Sequence, residues 1–600
     1  VRPEARAAPP PLAGRLLWRG DRESLGDEES VRERPEWVGS SLHERQRWSP
    51  LVVRSGCARP CAGAAQRLVL RARAAWVALA VSVLAAVTAV ALATAHDAAF
   101  AASVAASTPR AAAGGAPSGT GSLVVDPLRR AILRATLSDA ERARLARAPL
   151  PAGGGETLPA AVSALAAPEL SDPALTAVDA STGLPYAWHL AAVQAPAALA
   201  LQPSGVKVAI VDTGADLAHP DLRDAAAATV DLLGTGSVAD LDGHGTFIAG
   251  LIAARAGNGL GSAGVAGKTP LVIVRASTGA RFRQSAIADG ILAAVRRGAR
   301  IINLSVEAPT IGYVFAAALA RAVELDTLVV AAAGNSGDVG NAPQQPAALL
   351  GGYRGSVGSG LSVAATLPDG RAASFSTRNT SVSVAAPGAM ADCRRGVFST
   401  LPLARDISFD DDSRGRCLPL VFAPGRFASG RYAYGQGTSF AAPIVAGVAA
   451  LVWAAQPRLH SDQVARILMR TARQRDGSHR WTPATGYGVV NAVAAVQLAR
   501  RFDVTPPPAR ARLRALGRGV WTVRVLASSD PRRRGQLSEG GVRYALVLER
   551  GGVRRLLAGP SQRPPKRRVS LPAGTRRARL YVVACDRVLN CAHKTFALRR

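Results

Sequence analysis

Six short runs of aliphatic and β-branched residues, each bounded by turn-forming residues, recur through the middle of the chain at 206–211, 271–274, 301–306, 328–333, 361–365 and 382–386. They lack polar alternation, which predicts strands buried on both faces. Helical periods lie between or after them, at 246–254, 285–297, 315–325, 440–455 and 461–473. Strands alternating with helices predict an α/β fold, a three-layer parallel sheet with helices on both sides. A different rhythm follows the stiff stretch Asp503-Val504-Thr505-Pro506-Pro507-Pro508. Short alternating runs at 520–525, 542–548, 569–571 and 578–584, separated by Gly, Pro and Arg, predict a small all-β domain of sandwich type.

The N-terminal third reads differently again. An apolar stretch of 22 residues at 74–95 follows Arg59, Arg67, Arg71 and Arg73 and precedes Ala99-Phe100-Ala101. A basic flank, an apolar run and small residues predict a secretion signal at 74–101. The run is also long enough to span a bilayer as an uncleaved anchor. Either way the rest of the chain is expected outside the cytoplasm, secreted or membrane-anchored. Residues 1–73 read as a cytoplasmic tail or as sequence upstream of the true start, since no methionine occurs before Met390. Residues 102–185 are rich in Ala, Pro and Gly, with one helical patch at 127–148, and read as a pro-segment or linker. The remaining expected boundaries are 186–502 for the α/β domain and 503–600 for the β domain.

Charge sharpens the division. The chain of 600 residues carries 73 Lys+Arg against 42 Asp+Glu, and residues 501–600 alone carry 24 against 5. Such an excess predicts salt-sensitive attraction to an anionic cell-surface polymer or lipid. Arg replaces Lys almost throughout, so base composition of the gene is a competing source of the same charge. Specific nucleic-acid binding is not expected, because aromatic residues are too sparse for a stacking platform. Six cysteines are too few to build the fold. Cys393 with Cys417, and Cys585 with Cys591, are disulfide candidates in an exported chain. Cys57 and Cys61 read as incidental.

Four segments carry the chemistry, in this order: Val211-Asp212-Thr213-Gly214, Asp242-Gly243-His244-Gly245-Thr246, Ala333-Gly334-Asn335-Ser336-Gly337 and Gly437-Thr438-Ser439-Phe440-Ala441-Ala442-Pro443. A serine hydroxyl needs a neighbouring imidazole to take its proton, and that imidazole needs a carboxylate on its other nitrogen. Ser439, His244 and Asp212 supply those groups, and the Asn335 amide supplies a donor for an oxyanion. Asp212 and Asn335 are expected at strand ends, and His244 and Ser439 at helix starts. Pro443 is expected in the first turn of its helix, where a missing N–H costs nothing.

The order and context of these segments resemble the signature of the subtilisin-like serine proteases, the subtilase family S8, over residues 186–502. Trp188-His189-Leu190 and Gly486-Tyr487-Gly488-Val489-Val490-Asn491-Ala492 extend the resemblance. It implies an extended peptide bound along Asn303-Leu304-Ser305-Val306 and the loop around Gly261-Ser262-Ala263-Gly264, with Ser305, Val306, Glu307 and Gly334 at the substrate. It also implies an inhibitory pro-segment removed on activation.

Four departures stand out. Glu307-Ala308 replaces the usual glycine pair beside the pocket for the residue before the scissile bond, so Glu307 would select basic side chains or point into solvent. Phe247 stands where a second histidine is common, and Phe440 where methionine commonly follows the nucleophile. An insertion at about 402–432 contains Asp410-Asp411-Asp412, a solvated loop or a site for structural calcium.

The resulting expectation is a monomeric, exported serine endopeptidase acting on protein or peptide substrates through an acyl-enzyme. No cofactor is required for the chemistry and no catalytic metal is expected, with structural calcium as the one ion considered. The alternatives are a catalytically silent surface-binding protein that uses the basic C-terminal region, and a peptide ligase or macrocyclase on the same residues. Activity is expected to rise between roughly pH 6 and 8 as His244 becomes neutral.

Overall fold

The computed structural model describes residues 127–138, 170–199, 206–279, 282–352, 358–391, 395–403, 421–422, 430–531, 541–575 and 577–599. The 74–95 segment, Cys57, Cys61, Cys393, Cys417 and the acidic triplet 410–412 lie outside these residues. The first described helix is α1 (Pro127–Ala135), the opening part of the helical patch at 127–148.

Seven strands form one parallel sheet: β1 (Val208–Asp212), β2 (Ala226–Asp231), β3 (Leu271–Arg275), β4 (Ile301–Leu304), β5 (Leu328–Ala332), β6 (Leu361–Thr366) and β7 (Val384–Pro387). Their spatial order is β2-β3-β1-β4-β5-β6-β7, with every pairing parallel. All five residues of β1 are buried, and alternate ones serve different layers. Val208 and Ile210 pack in the core that contains α2 (His244–Ala253). Ala209 and Val211 pack with Ile287 and Ile291 of α3 (Gln284–Arg296) and with Phe315 and Leu319 of α4 (Tyr313–Glu324). That two-sided burial is the physical reason for unbroken apolar strands. The three-layer α/β expectation is met.

After β7 comes a three-stranded antiparallel sheet of β8 (Val397–Leu401), β9 (Val421–Phe422) and β10 (Arg431–Gly435), in the order β8-β10-β9. Leu401 pairs with Arg431, so the insertion connects the two strands of one hairpin. Helix α5 (Thr438–Ala455) is apolar along its whole length and buried at the centre of the first core. Helices α6 (Ser461–Thr471) and α7 (Ala492–Arg501) pack beside it.

The C-terminal residues form two antiparallel sheets. One is β11 (Ala511–Gly517), β12 (Val520–Val525) and β15 (Lys566–Ser570), with β12 in the middle. The other runs β14-β13-β16-β17, from β13 (Arg543–Arg550), β14 (Val553–Ser561), β16 (Arg577–Cys585) and β17 (Cys591–Arg599). Val523, Val525 and Val569 of the first share a core with Leu546, Leu580 and Val582 of the second. Cys585 and Cys591 face each other across the β16–β17 hairpin and are disulfide-bonded.

Candidate active site

β1 lies between β3 and β4; the chain leaves it for the edge strand β2, returns to β3 and then crosses to β4, so strand order reverses beside the carboxyl end of β1. Ligand sites of open α/β sheets form there. Asp212 is the last residue of β1 and is buried. Its Oδ1 accepts from the Thr213 N–H at 2.9 Å and pairs with His244 Nδ1 at 2.7 Å.

His244 is the first residue of α2, preceded by Gly243 in the left-handed region. The Asp240 carboxylate below it accepts from the N–H groups of Asp242, Gly243 and Thr246 and from the Thr246 hydroxyl, which fixes the turn and the helix start together. Asp242 in turn accepts from the His244 N–H at 3.1 Å. A side chain at Gly245 would put its Cβ 2.1 Å from the Gly214 carbonyl oxygen. Glycine there lets the Asp212 and His244 segments touch, and the Gly245 N–H donates to Thr213 Oγ1 at 2.9 Å.

Three carboxylates therefore act on one imidazole, Asp212 in direct contact and Asp242 and Asp240 at longer range. Burial opposes its charged form, but Asp212, Asp242 and Asp240 outweigh burial and raise the His244 pKa to about 9. Asp242 is itself pushed up to about 6, first by burial. The displacement is more alkaline than the rise between pH 6 and 8 expected from the ordinary titration range of an imidazole. Asp240 and Asp242 were not singled out in the sequence because their effect depends on how the turn folds back over the imidazole.

Ser439 is the second residue of α5. Its Oγ donates to the Ser305 carbonyl at 3.4 Å. Pro443 lies inside α5, one turn beyond the first, contrary to the sequence expectation. At that position proline removes the N–H that would bond the Ser439 carbonyl four residues back. The Ser305 hydroxyl takes over, donating to the Ser439 carbonyl at 2.6 Å, and is itself held by Asn303 Nδ2 at 2.9 Å.

Asn335 follows β5 by three residues. Its Oδ1 accepts from both the Thr438 N–H at 3.0 Å and the Thr438 hydroxyl at 2.9 Å. The same hydroxyl accepts from the Gly334 N–H at 3.2 Å. With Oδ1 committed to Thr438, the amide nitrogen is the end of the side chain presented away from that contact, as an anion-binding role requires. The sequence alone assigns Thr438 no role; the fold shows it orienting Asn335.

Glu307 Oε2 accepts from the Asn335 N–H at 2.6 Å, so this carboxylate lies against the loop that carries Asn335. Val306, beside it, is half-buried. Two further departures turn out to be neighbours. Phe247 and Phe440 have ring centroids 4.4 Å apart, and Phe440 lies 5.5 Å from the His244 ring. An aromatic pair thus covers one side of the imidazole.

Residues 203–488 match the subtilase family model. Subtilisin BL of Lederbergia lenta is 34% identical over 313 residues, covering 52% of this chain and 98% of that protein. Subtilisin E of Bacillus subtilis (strain 168) is 32% identical over 296 residues, covering 49% and 66%. The crystal structure of MycP1 with its N-terminal propeptide removed aligns at 26% identity with a TM-score of 0.40, over 52% of this chain and 96% of that one. The chain belongs to the subtilase family. It is a subtilisin-like serine endopeptidase, a hydrolase of peptide bonds, and subtilases need no cofactor for that chemistry.

Proposed function

We propose that the protein is an exported endopeptidase in which Ser439 is the nucleophile, His244 the general base, Asp212 its orienting carboxylate and Asn335 an oxyanion donor. The observation that carries this reading is the 2.7 Å bond between His244 Nδ1 and Asp212, in a site where Asn335 is bonded to Thr438, the residue next to Ser439. The Ser439 Oγ forms a bond to the scissile carbonyl carbon as its proton passes to His244 Nε2, and the carbonyl electron pair moves onto oxygen, where Asn335 Nδ2 donates. Collapse expels the amine, which takes the proton from His244. Water then repeats the sequence to release the acid. The substrate strand lies along residues 303–306 by backbone pairing, with Gly334 on the other side. Glu307, held at the cleft, favours a basic side chain before the scissile bond.

The C-terminal sheets form an immunoglobulin-like module whose role is adhesion. Cross-strand register puts Arg512 opposite Arg524 opposite Lys566, and Arg514 opposite Thr522 opposite Arg568. Residues two apart share a face of a strand, so five exposed cations occupy one side of the β11-β12-β15 sheet. Like charges directly opposite are destabilising, and an anionic cell-surface polymer or lipid would relieve that cost.

Fluorophosphonate labelling tests the reading. The folded protein is expected to label at one serine, located by mass spectrometry in the peptide containing Ser439, and Ser439→Ala to remove the label with roughly a 10⁶-fold loss of kcat, as in subtilisin itself. Absence of label on folded protein would leave adhesion as the function.

A further inference from the structure

Helix α1 belongs to the stretch that reads as a pro-segment, yet none of its described partners is a residue of the candidate active site. Its sequence, Pro-Leu-Arg-Arg-Ala-Ile-Leu-Arg-Ala, carries two separate faces. Leu128, Ala131 and Ile132 are buried in a cluster with Ala545, Val547, Tyr581 and Val583 of the C-terminal sheet. Arg130 and Arg134, one turn apart, face the peptidase domain and are 6% and 5% exposed.

The receptor for those guanidinium groups is built from several elements. Arg130 pairs with Asp462 at 2.6 Å and donates to the Gly358 carbonyl at 2.7 Å and to Ser359 Oγ at 3.2 Å. Arg134 pairs with Asp326 at 2.5 Å and with Asp462 at 3.3 Å. Asp326 also accepts from the Ser461 N–H and hydroxyl and pairs with His460, so it caps the start of α6. Burial pushes the Asp326 carboxyl up, but Arg134 and His460 outweigh it and hold it below the usual range. Undocking α1 would strip Asp462 of both its arginine partners and Asp326 of Arg134, so this receptor is matched to an occupied state. A helix of nine residues does not persist alone in water. Its order comes from docking.

We propose that α1 is a permanent clamp, a docking peptide that joins the peptidase domain to the C-terminal sheets and stays bound when the chain is cut between 139 and 169. A chain processed there is then a two-chain protein. The 74–95 segment lies upstream of α1, so such a cut does not detach the enzyme from whatever residues 1–126 are fixed to. This inference does not depend on the catalytic reading.

The test uses the full chain carrying Ser439→Ala, to prevent self-cleavage, with a recognition site for a specific protease inserted between Gly154 and Gly155. After cutting, the N-terminal fragment is expected to co-elute one-to-one with the core in size exclusion, and Arg130→Ala/Arg134→Ala to release it. Separation of the fragment from a folded core without those substitutions overturns the proposal, as does retention with them. If the double variant fails to fold, hydrogen exchange of the uncut parent decides. Amides of 131–135 protected as strongly as those of α6 support the clamp, and exchange at unfolded-chain rates overturns it.

Discussion

The peptidase region and the C-terminal sheets use charge in opposite ways. Residues 186–500 hold 28 Lys+Arg and 20 Asp+Glu, while residues 501–600 hold 24 and 5. In the first, the charges that matter are withdrawn from water: Asp212 and Asp240 are buried beneath one imidazole, and their effect is to change its proton affinity. In the second, cations stand exposed on a sheet face, where salt screens them and only a multiply charged partner adds their small contributions together. Position relative to solvent, more than number, decides what a charge can do.

The sharpest way to probe the buried side is to remove a donor from it. Asn335→Ala is expected to lower kcat by roughly 10²–10³-fold with little change in KM, the size known for the oxyanion amide of subtilisin itself. A loss confined to KM would remove Asn335 from transition-state binding.

The next probe acts on proton affinity. His244 must be neutral to accept a proton, so kcat/KM is expected to rise with pH toward a midpoint near 9. Asp242→Asn removes one of the carboxylates that favour the imidazolium. The rising limb should then move to lower pH, by roughly half a unit to one unit. An unmoved limb in a pH–rate profile would sever Asp242 from the site's electrostatics.

The smallest effect on turnover is expected on the exposed side. Replacing Arg512, Arg524 and Arg568 by Gln should leave hydrolysis of a small peptide substrate unchanged. The same change should weaken retention on vesicles rich in anionic lipid, with a shallower dependence on salt, by about one unit of slope per lost contact. Equal retention of parent and variant would reduce the basic face to a solvated surface.

The same contrast governs what could be read in advance. Strands β1, β3, β4, β5, β6 and β7 were legible because burial on both faces leaves mostly apolar residues to write them with. β2 was missed: Ala-Ala-Ala-Thr-Val-Asp is a half-buried edge with few β-branched residues. In the C-terminal region β12, β13, β15 and β16 were anticipated, but β11 and β14 were not, because exposed charged side chains interrupt their apolar pattern. Of the site, Asp212, His244, Asn335 and Ser439 were nominated from local segments, each at a strand end or helix start. The roles of Thr438, Asp240 and Asp242, and the contact between Phe247 and Phe440, depend on neighbours distant in sequence. The clamp was hidden for the same reason, since Arg130 and Arg134 look like ordinary surface cations until Asp326 and Asp462 stand beside them.

Pro443 leaves the Ser439 carbonyl without its helical donor, and Ser305 supplies a replacement from the segment that follows β4. The proposed nucleophile is thereby anchored to the very segment along which a substrate would lie. A peptide that settled poorly against residues 303–306 would disturb the serine's own support, and one that settled well would steady it. Discrimination between substrates would then appear in turnover as well as in affinity, with no hinge or lid required to link the two.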